Sequence, residues 1–169
     1  MHKDLLMANS GVYEVYNKTA FVERALLESA REGVTKACLD TEAIAKREIT
    51  QQNAIDTGAA RASIYSHTPE KNKYAMAIAN AKSEASKGSR KLRKSKNAKP
   101  KVVHLFPDVE ISKIASKPEG IVAVGALYGF YIEFGTARIP PRPFMTPAVE
   151  TVGPAIEQFF IDKLHARLK

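Results

Sequence analysis

Residues 18–50 read KTAFVERALLESAREGVTKACLDTEAIAKREIT, and the fold turns on them. Val22, Leu26, Ala30, Val34, Ala37, Thr41, Ile44 and Glu48 recur every three or four residues, and all but Thr41 and Glu48 are apolar. That period marks one face of an α-helix. Thr19 or Asn17 offers an N-cap, and Gly33 is the weak point, since an interior glycine costs ~1 kcal/mol relative to alanine. The spacing predicts a long amphipathic helix of the kind that lies across a sheet. Cys38, on or beside the stripe, reads as a small core residue and not as a nucleophile.

Downstream the period breaks. Asp56-Thr57-Gly58 is turn chemistry, and Asp56 is placed to cap a short helical turn over 58–63. Ile64 to Ser66 reads as extended. Residues 73–80, KYAMAIAN, alternate Tyr74, Met76 and Ile78 with smaller residues, which predicts a half-buried strand. Val102 to Phe106, stopped by Pro107, the less clean 109–115, and Ile121 to Val124, stopped by Gly125, supply further extended runs. Three or four antiparallel strands follow.

Between them lies residues 82–101, KSEASKGSRKLRKSKNAKPK. It holds nine of the chain's 26 Lys and Arg and one of its 18 acids, which leaves 17 of each sign elsewhere. The whole net charge of +8 therefore sits in this segment, and the rest of the chain is neutral. With Leu92 as its only large apolar residue it cannot offset the entropy of ordering by burial, so it reads as a flexible basic arm joining two strands. Such an arm suits a phosphate backbone or an acidic protein surface, through Lys87, Arg90, Lys91, Arg93, Lys94, Lys96 and Lys99. It equally suits a solvated insertion that orders on assembly. Without aromatic residues for base stacking, single-strand or sequence-specific recognition is unsupported.

At 169 residues and 44% hydrophobic content the chain is long enough for one cored domain over 1–169. It has no apolar run of about 18 residues, so no membrane helix is expected, and no secretory signal is visible in MHKDLLMANSGVYE. One cysteine excludes an intrachain disulfide, and His2, His67, His104 and His165 share no metal-ligand spacing. No cofactor or metal is expected.

The most distinctive stretch is residues 127–150, LYGFYIEFGTARIPPRPFMTPAVE. Tyr128, Tyr131, Ile132 and Phe134 suit an aromatic-rich helical turn closed by Gly135. Arg138 to Pro143 then fixes the backbone, because three prolines lock φ and forbid helix or ladder pairing. Thr146-Pro147 is a good N-cap and N1 pair for a last helix, and Gly153-Pro154 marks a kink or restart in it. Ile156, Phe159, Phe160, Leu164 and Leu168 form its apolar face. The expected fold class is α+β, with a long N-terminal helix and a C-terminal helix packed on a small antiparallel sheet and a long basic inter-strand arm.

Catalytic chemistry finds little support. Asp56-Thr57-Gly58 invites an aspartic-protease reading, but no second carboxylate element or glycine-rich flap accompanies it, and a capping turn explains it better. Glu133 has no second acid or histidine near it in sequence, so an ion pair with Arg138 or Arg142 that holds the proline loop is the better reading. Ser63 and Ser66 lack nucleophile-elbow glycines, His67 and His104 read as surface or packed histidines, and Gly125 to Gly129 lacks the lysine of a phosphate loop. The rigid Arg-Ile-Pro-Pro-Arg-Pro-Phe segment instead suits a protein contact, with a crossover that packs Phe144 into its own core as the compatible alternative.

Two stretches together resemble a known family. Ile55-Asp56-Thr57-Gly58-Ala59-Ala60-Arg61-Ala62-Ser63-Ile64 resembles the DTG-x-LR-x-SI stretch of the phage tail-completion, or neck, proteins. Tyr128 to Thr136, followed by Arg142-Pro143-Phe144 and Pro147-Ala148, is similar to that family's second signature, a tyrosine-containing turn ending in Glu-Phe-Gly-Thr before RPF-x-x-PA and the last helix. Ala60 departs from the usual leucine, which removes a core anchor but not the turn, and the basic arm is longer than the family's usual inter-strand connection.

The resemblance implies a non-enzymatic virion protein, assembled in the host cytoplasm, at the neck of a long-tailed phage. It implies a homo-oligomeric, sixfold ring between the head-closure or connector protein and the tail terminator or tail tube. The tape-measure protein and genomic double-stranded DNA are candidate partners in the lumen, and no membrane is involved. Protein contacts are expected at Tyr131, Glu133, Phe134, Gly135, Thr136, Arg138, Pro141, Arg142, Pro143 and Phe144. The arm, with Lys91, Arg93 and Lys94 central, is expected to face the channel or an acidic neighbouring ring. A stand-alone basic nucleic-acid-binding protein is the alternative.

Overall fold

A computed structural model of the chain describes residues 3–8, 11–16, 18–52, 58–92, 104–109 and 117–169, with 3–8, 11–16 and 88–92 described as backbone only. Two strands, β1 (Lys3–Ala8) and β2 (Gly11–Tyr16), form an antiparallel hairpin in which Leu6 pairs with Tyr13. The sequence reading did not anticipate this hairpin. Helix α1 (Thr19–Gln51) follows, then the single turn α2 (Ala59–Ala62), strand β3 (Ile64–His67), helix α3 (Tyr74–Leu92), strand β4 (Ile121–Val124), helix α4 (Tyr128–Phe134) and helix α5 (Met145–Leu168). β3 and β4 pair antiparallel, Ile64 opposite Val124 and His67 opposite Ile121. The pairing continues past β4, where Leu105 bridges to Ala126 and the Phe106 amide donates to the Gly125 carbonyl. The expected α+β class holds, with the long first helix and the last helix against a small antiparallel sheet. None of the described helices is long and apolar enough to cross a membrane.

Helix α1 forms where its period placed it, but most of its buried positions lie beside the expected stripe, with Thr41 common to both and Ile44 half-buried against the core. Ala25, Ser29, Gly33, Cys38, Thr41, Glu42, Ala45 and Ile49 are buried, while Val22 and Leu26 are exposed. The reason is the neighbour. α5 runs along α1, and close approach of two helices selects small residues at the seam: a Cβ on Gly33 would touch Phe160 at 3.9 Å. Arg167, near the end of α5, closes this seam by donating to Ser29 Oγ at 3.1 Å and to Glu32 at 2.6 Å. Cys38 is buried, as the stripe implied, and burial pushes its thiol pKa up. Lys18 occupies the N-cap position without a side-chain bond, so Thr19 is the first helical residue and no cap. Asn17 lies outside the described residues.

Two expectations are corrected on α3. Residues 74–80 are helical and not a strand, and the helix continues to Leu92, so 82–92 is no loop. Its buried residues are Ala77, Ile78, Ala81 and Ala85, a 3.6-residue period, whereas Met76 is 57% exposed. Asn72 Oδ1 accepts from the Tyr74 amide at 2.8 Å and opens the helix. The alanine face packs on α2 through Ala59. Lys87 lies exposed on α3, paired with Glu84 at 2.7 Å, and Arg90 and Lys91 occupy its last turn. Arg93, Lys94, Lys96 and Lys99 lie outside the described residues, as do most of 109–115 and the Asp56 turn.

The main core gathers Ala45 and Ile49 of α1, Ala60 of α2, Ile64 of β3, and Phe144 and Ala148 at the start of α5. Val122, Val124, Tyr128 and Ile132 close it. Ala60 is 4% exposed, so the smaller side chain keeps its core position.

Candidate functional site

The 127–150 stretch builds one structural unit from α4, the proline loop and the first turns of α5. α4 ends at Gly135, whose φ of 74° and ψ of −174° belong to a region that only glycine occupies readily. A Cβ there would lie 2.7 Å from the Pro141 nitrogen and 2.8 Å from the Ile139 carbonyl oxygen, so the loop folds directly over this position. A tight turn follows. The Thr136 amide donates to the Ile139 carbonyl at 2.8 Å, and Thr136 Oγ1 accepts from the Ile139 amide at 3.1 Å. The Arg142 amide then returns to the Ile132 carbonyl at 2.8 Å, and Gln52, just past the end of α1, donates to the Pro143 carbonyl.

Glu133 is the anchor. Its Oε2 accepts from the Phe144 and Met145 amides at 2.7 and 2.9 Å, and its Oε1 from the Thr146 amide and hydroxyl at 3.0 and 2.7 Å. A carboxylate one helix away thus satisfies the first free N–H groups of α5 and sits at the positive end of its dipole. Burial raises the Glu133 pKa, but the bonds from Met145, Phe144 and Thr146 outweigh it and hold the carboxyl below its ordinary value. The expected ion pair is replaced by this amide cradle, which does hold the proline loop. Thr146-Pro147 accordingly does not open α5. The helix starts at Met145, and it runs on through Pro154.

Of the residues expected at a contact surface, Tyr131 and Phe134 are 49% and 64% exposed, and Thr136, Arg138, Pro141, Arg142 and Pro143 are exposed. Phe144 is a correction: it is fully buried in the core, so its side chain fixes the loop and does not reach a partner from here. Glu133 is likewise buried. Sequence reading missed Phe130 and Val149, which are 56% and 57% exposed. Phe130 and Phe134 lie on one side of α4, four residues apart, with ring centroids 4.8 Å apart. Together with Phe106, Val149 and Glu150 they border a groove of about 590 Å³ floored by Val124 and Phe144. The i, i+4 aromatic spacing was the available signal for it.

The other signature packs beneath. Ser63 Oγ donates to the Ala60 carbonyl at 2.8 Å and accepts from the Ala126 amide at 3.0 Å, while its carbonyl accepts from the Gly125 amide at 2.9 Å. Ser63 therefore joins the turn of α2 to the end of β4.

A second polar cluster lies on the far end of the sheet. Glu42 accepts from Ser66 Oγ at 2.7 Å and from Lys46 and Lys73 at 2.6 and 2.8 Å. Burial works against its charge, yet these bonds bring its pKa down to about 2. His67 is a packed histidine with Nδ1 3.6 Å from Asp108. Ser66 and His67 are consecutive on β3 and point to opposite faces, so they do not form a nucleophile–base pair. No group of His, Cys, Asp or Glu suited to a metal ion occurs among the described residues. No family model, curated protein or solved structure matches the chain.

Proposed function

We propose that this chain is a structural subunit of the head–tail joint of a long-tailed bacteriophage, completing the tail and joining it to the DNA-filled head as part of a homo-oligomeric ring. The observation that carries this reading is that the two stretches resembling the neck family are partners in one core. Ala60 and Ile64 of the first pack with Phe144 and Ala148 of the second, and Ser63 ties the first to the strand leading into the second. Both stretches thus contribute to one structural unit, as a joint signature would require. The exposed loop and aromatic side of α4 give such a subunit contact surface, and the basic charge of residues 82–101 suits channel DNA or an acidic ring. Head-closure protein and tail terminator or tube are the ring's neighbours, and the role needs no catalysis.

Electron microscopy of lysates from a phage with a nonsense mutation in this gene tests it. Filled heads beside separate, finished tails are expected. Normally joined virions would refute the reading and make DNA binding by the isolated protein, steeply weakened by salt, the lead.

A further inference from the structure

The groove and the proline loop are complementary, and among the described residues neither is covered by the other. All eight residues from Thr136 to Pro143 are exposed, and none of them lines the groove, so the loop leaves its own groove open. At the loop's turn Ile139 is 53% exposed, an apolar side chain held outward by the Thr136–Ile139 pairing beside Arg138. The loop carries Arg138 and Arg142 and no acid, while the charged residues lining the groove are Glu133 and Glu150, with no base. Glu133 is committed to the α5 cap, which leaves exposed Glu150 as the charge at the rim.

We propose that the groove is the socket for the Thr136–Pro143 loop of a second copy of this chain, Ile139 entering between Phe130, Phe134 and Val149 while Arg138 meets Glu150. This deepens the ring reading and rests on it. Knob and socket are different surfaces of one chain, so the contact is heterologous and propagates head to tail, closing into a ring where the rotation permits. The knob is already ordered in the free subunit, so little conformational entropy is lost on docking. Its apolar tip beside Arg138, set against Glu150 at the groove's rim, matches the anatomy of an interface with an apolar centre and a polar edge.

The test uses the full chain and sedimentation velocity over a concentration series. Wild type is expected to assemble. Arg138→Glu and Glu150→Arg should each raise the midpoint concentration by about tenfold or more, as like charges meet at the contact. Their combination in one chain should restore assembly, a rescue that a folding defect would not give. Ile139→Asp should abolish assembly with an unchanged melting temperature, since its side chain is exposed. Single reversals that assemble like wild type, a combination that fails to recover, or a wild type monomeric throughout would each overturn the socket. A monomeric wild type beside separated heads and tails in the mutant lysate would sink the socket and keep the neck reading. Rings with joined virions would do the reverse.

Discussion

Glu133→Gln isolates the interaction on which the candidate site depends. The substitution keeps size and one carbonyl acceptor, but it removes the charge and turns an NH2 group toward amides that also donate. Four donors converge on the carboxylate within 2.7–3.0 Å. A hydrogen bond to a charged group contributes about 1.5–3 kcal/mol, and charge at a partly buried helix terminus up to ~2 kcal/mol. The glutamine retains part of this, so a net loss of about 2–3 kcal/mol is expected, or roughly 5–10 °C in melting temperature for a chain of this size. Glu133→Ala strands the buried Phe144 amide as well and should cost about 3–5 kcal/mol.

The pH dependence gives an independent check. The folded pKa of Glu133 lies below its unfolded value, so its contribution is complete above the unfolded pKa and is lost as pH falls through the folded one. Thermal melts of wild type and Glu133→Gln should therefore differ most near neutral pH and converge in acid. A difference below about 0.5 kcal/mol at neutral pH, the range of ordinary surface changes, or one that persists unchanged into acid, would refute the capping role.

Two further perturbations probe the frame around it. Glu42→Gln should cost roughly 3 kcal/mol at neutral pH, the linkage value of a carboxyl held near 2, and that advantage of wild type should fade as pH drops from the ordinary carboxylate range toward 2; urea unfolding at several pH values measures it, and a pH-independent gap would contradict the assignment. Gly135→Ala should destabilise by about 2–4 kcal/mol, because backbone strain and contact with Pro141 add. Gly153→Ala, with nothing beyond its chain neighbours within 4 Å of its Cβ, should instead change stability by less than about 1 kcal/mol, because the gain in helix propensity is offset by crowding from Pro154, and equal effects at the two glycines would show the loop to be looser than described.

The elements legible in the sequence were those whose signal is local. The α1 period, the α2 turn, the β4 run and the Gly135 stop all survive, because each is encoded within a few residues. The α1 stripe was misplaced in part because periodicity rewards large apolar residues, whereas α5 packs against the small residues Ser29 and Gly33. α3 was mistaken for a strand because alanine fits either period, so Tyr74, Met76 and Ile78 decided the reading while Ala77, Ala81 and Ala85 carried the true one. Its charged extension folds because lysine, alanine and glutamate are good helix formers and Ala81 and Ala85 dock it. The β1–β2 hairpin was passed over although Asn9-Ser10-Gly11 is turn chemistry between two runs with apolar residues. Glu133 was legible as important and not as a cap, since its bonds span 11 to 13 residues and a fold must bring the partners together.

That last distance ties the whole 133–146 stretch together. A cap drawn from the residue beside a helix fixes only that helix. A cap drawn from α4 ties the end of α4 to the start of α5, and everything between must then fit a closed path: Gly135 to reverse the chain, prolines to stiffen it, Phe144 to seat it. The entropy of ordering the loop is met within the chain by burial of Phe144 at its end and by the charge-assisted bonds of Glu133. The roles of neighbouring residues therefore separate. Glu133, Gly135 and Phe144 act on the loop's existence, so their substitution should lower stability and assembly together. Arg138 and Ile139 are exposed and, on the proposed contact, act only on what the loop touches, so theirs should lower assembly alone. Loss of both properties at the exposed tip would mean that the loop is held by its partner and not by its own fold.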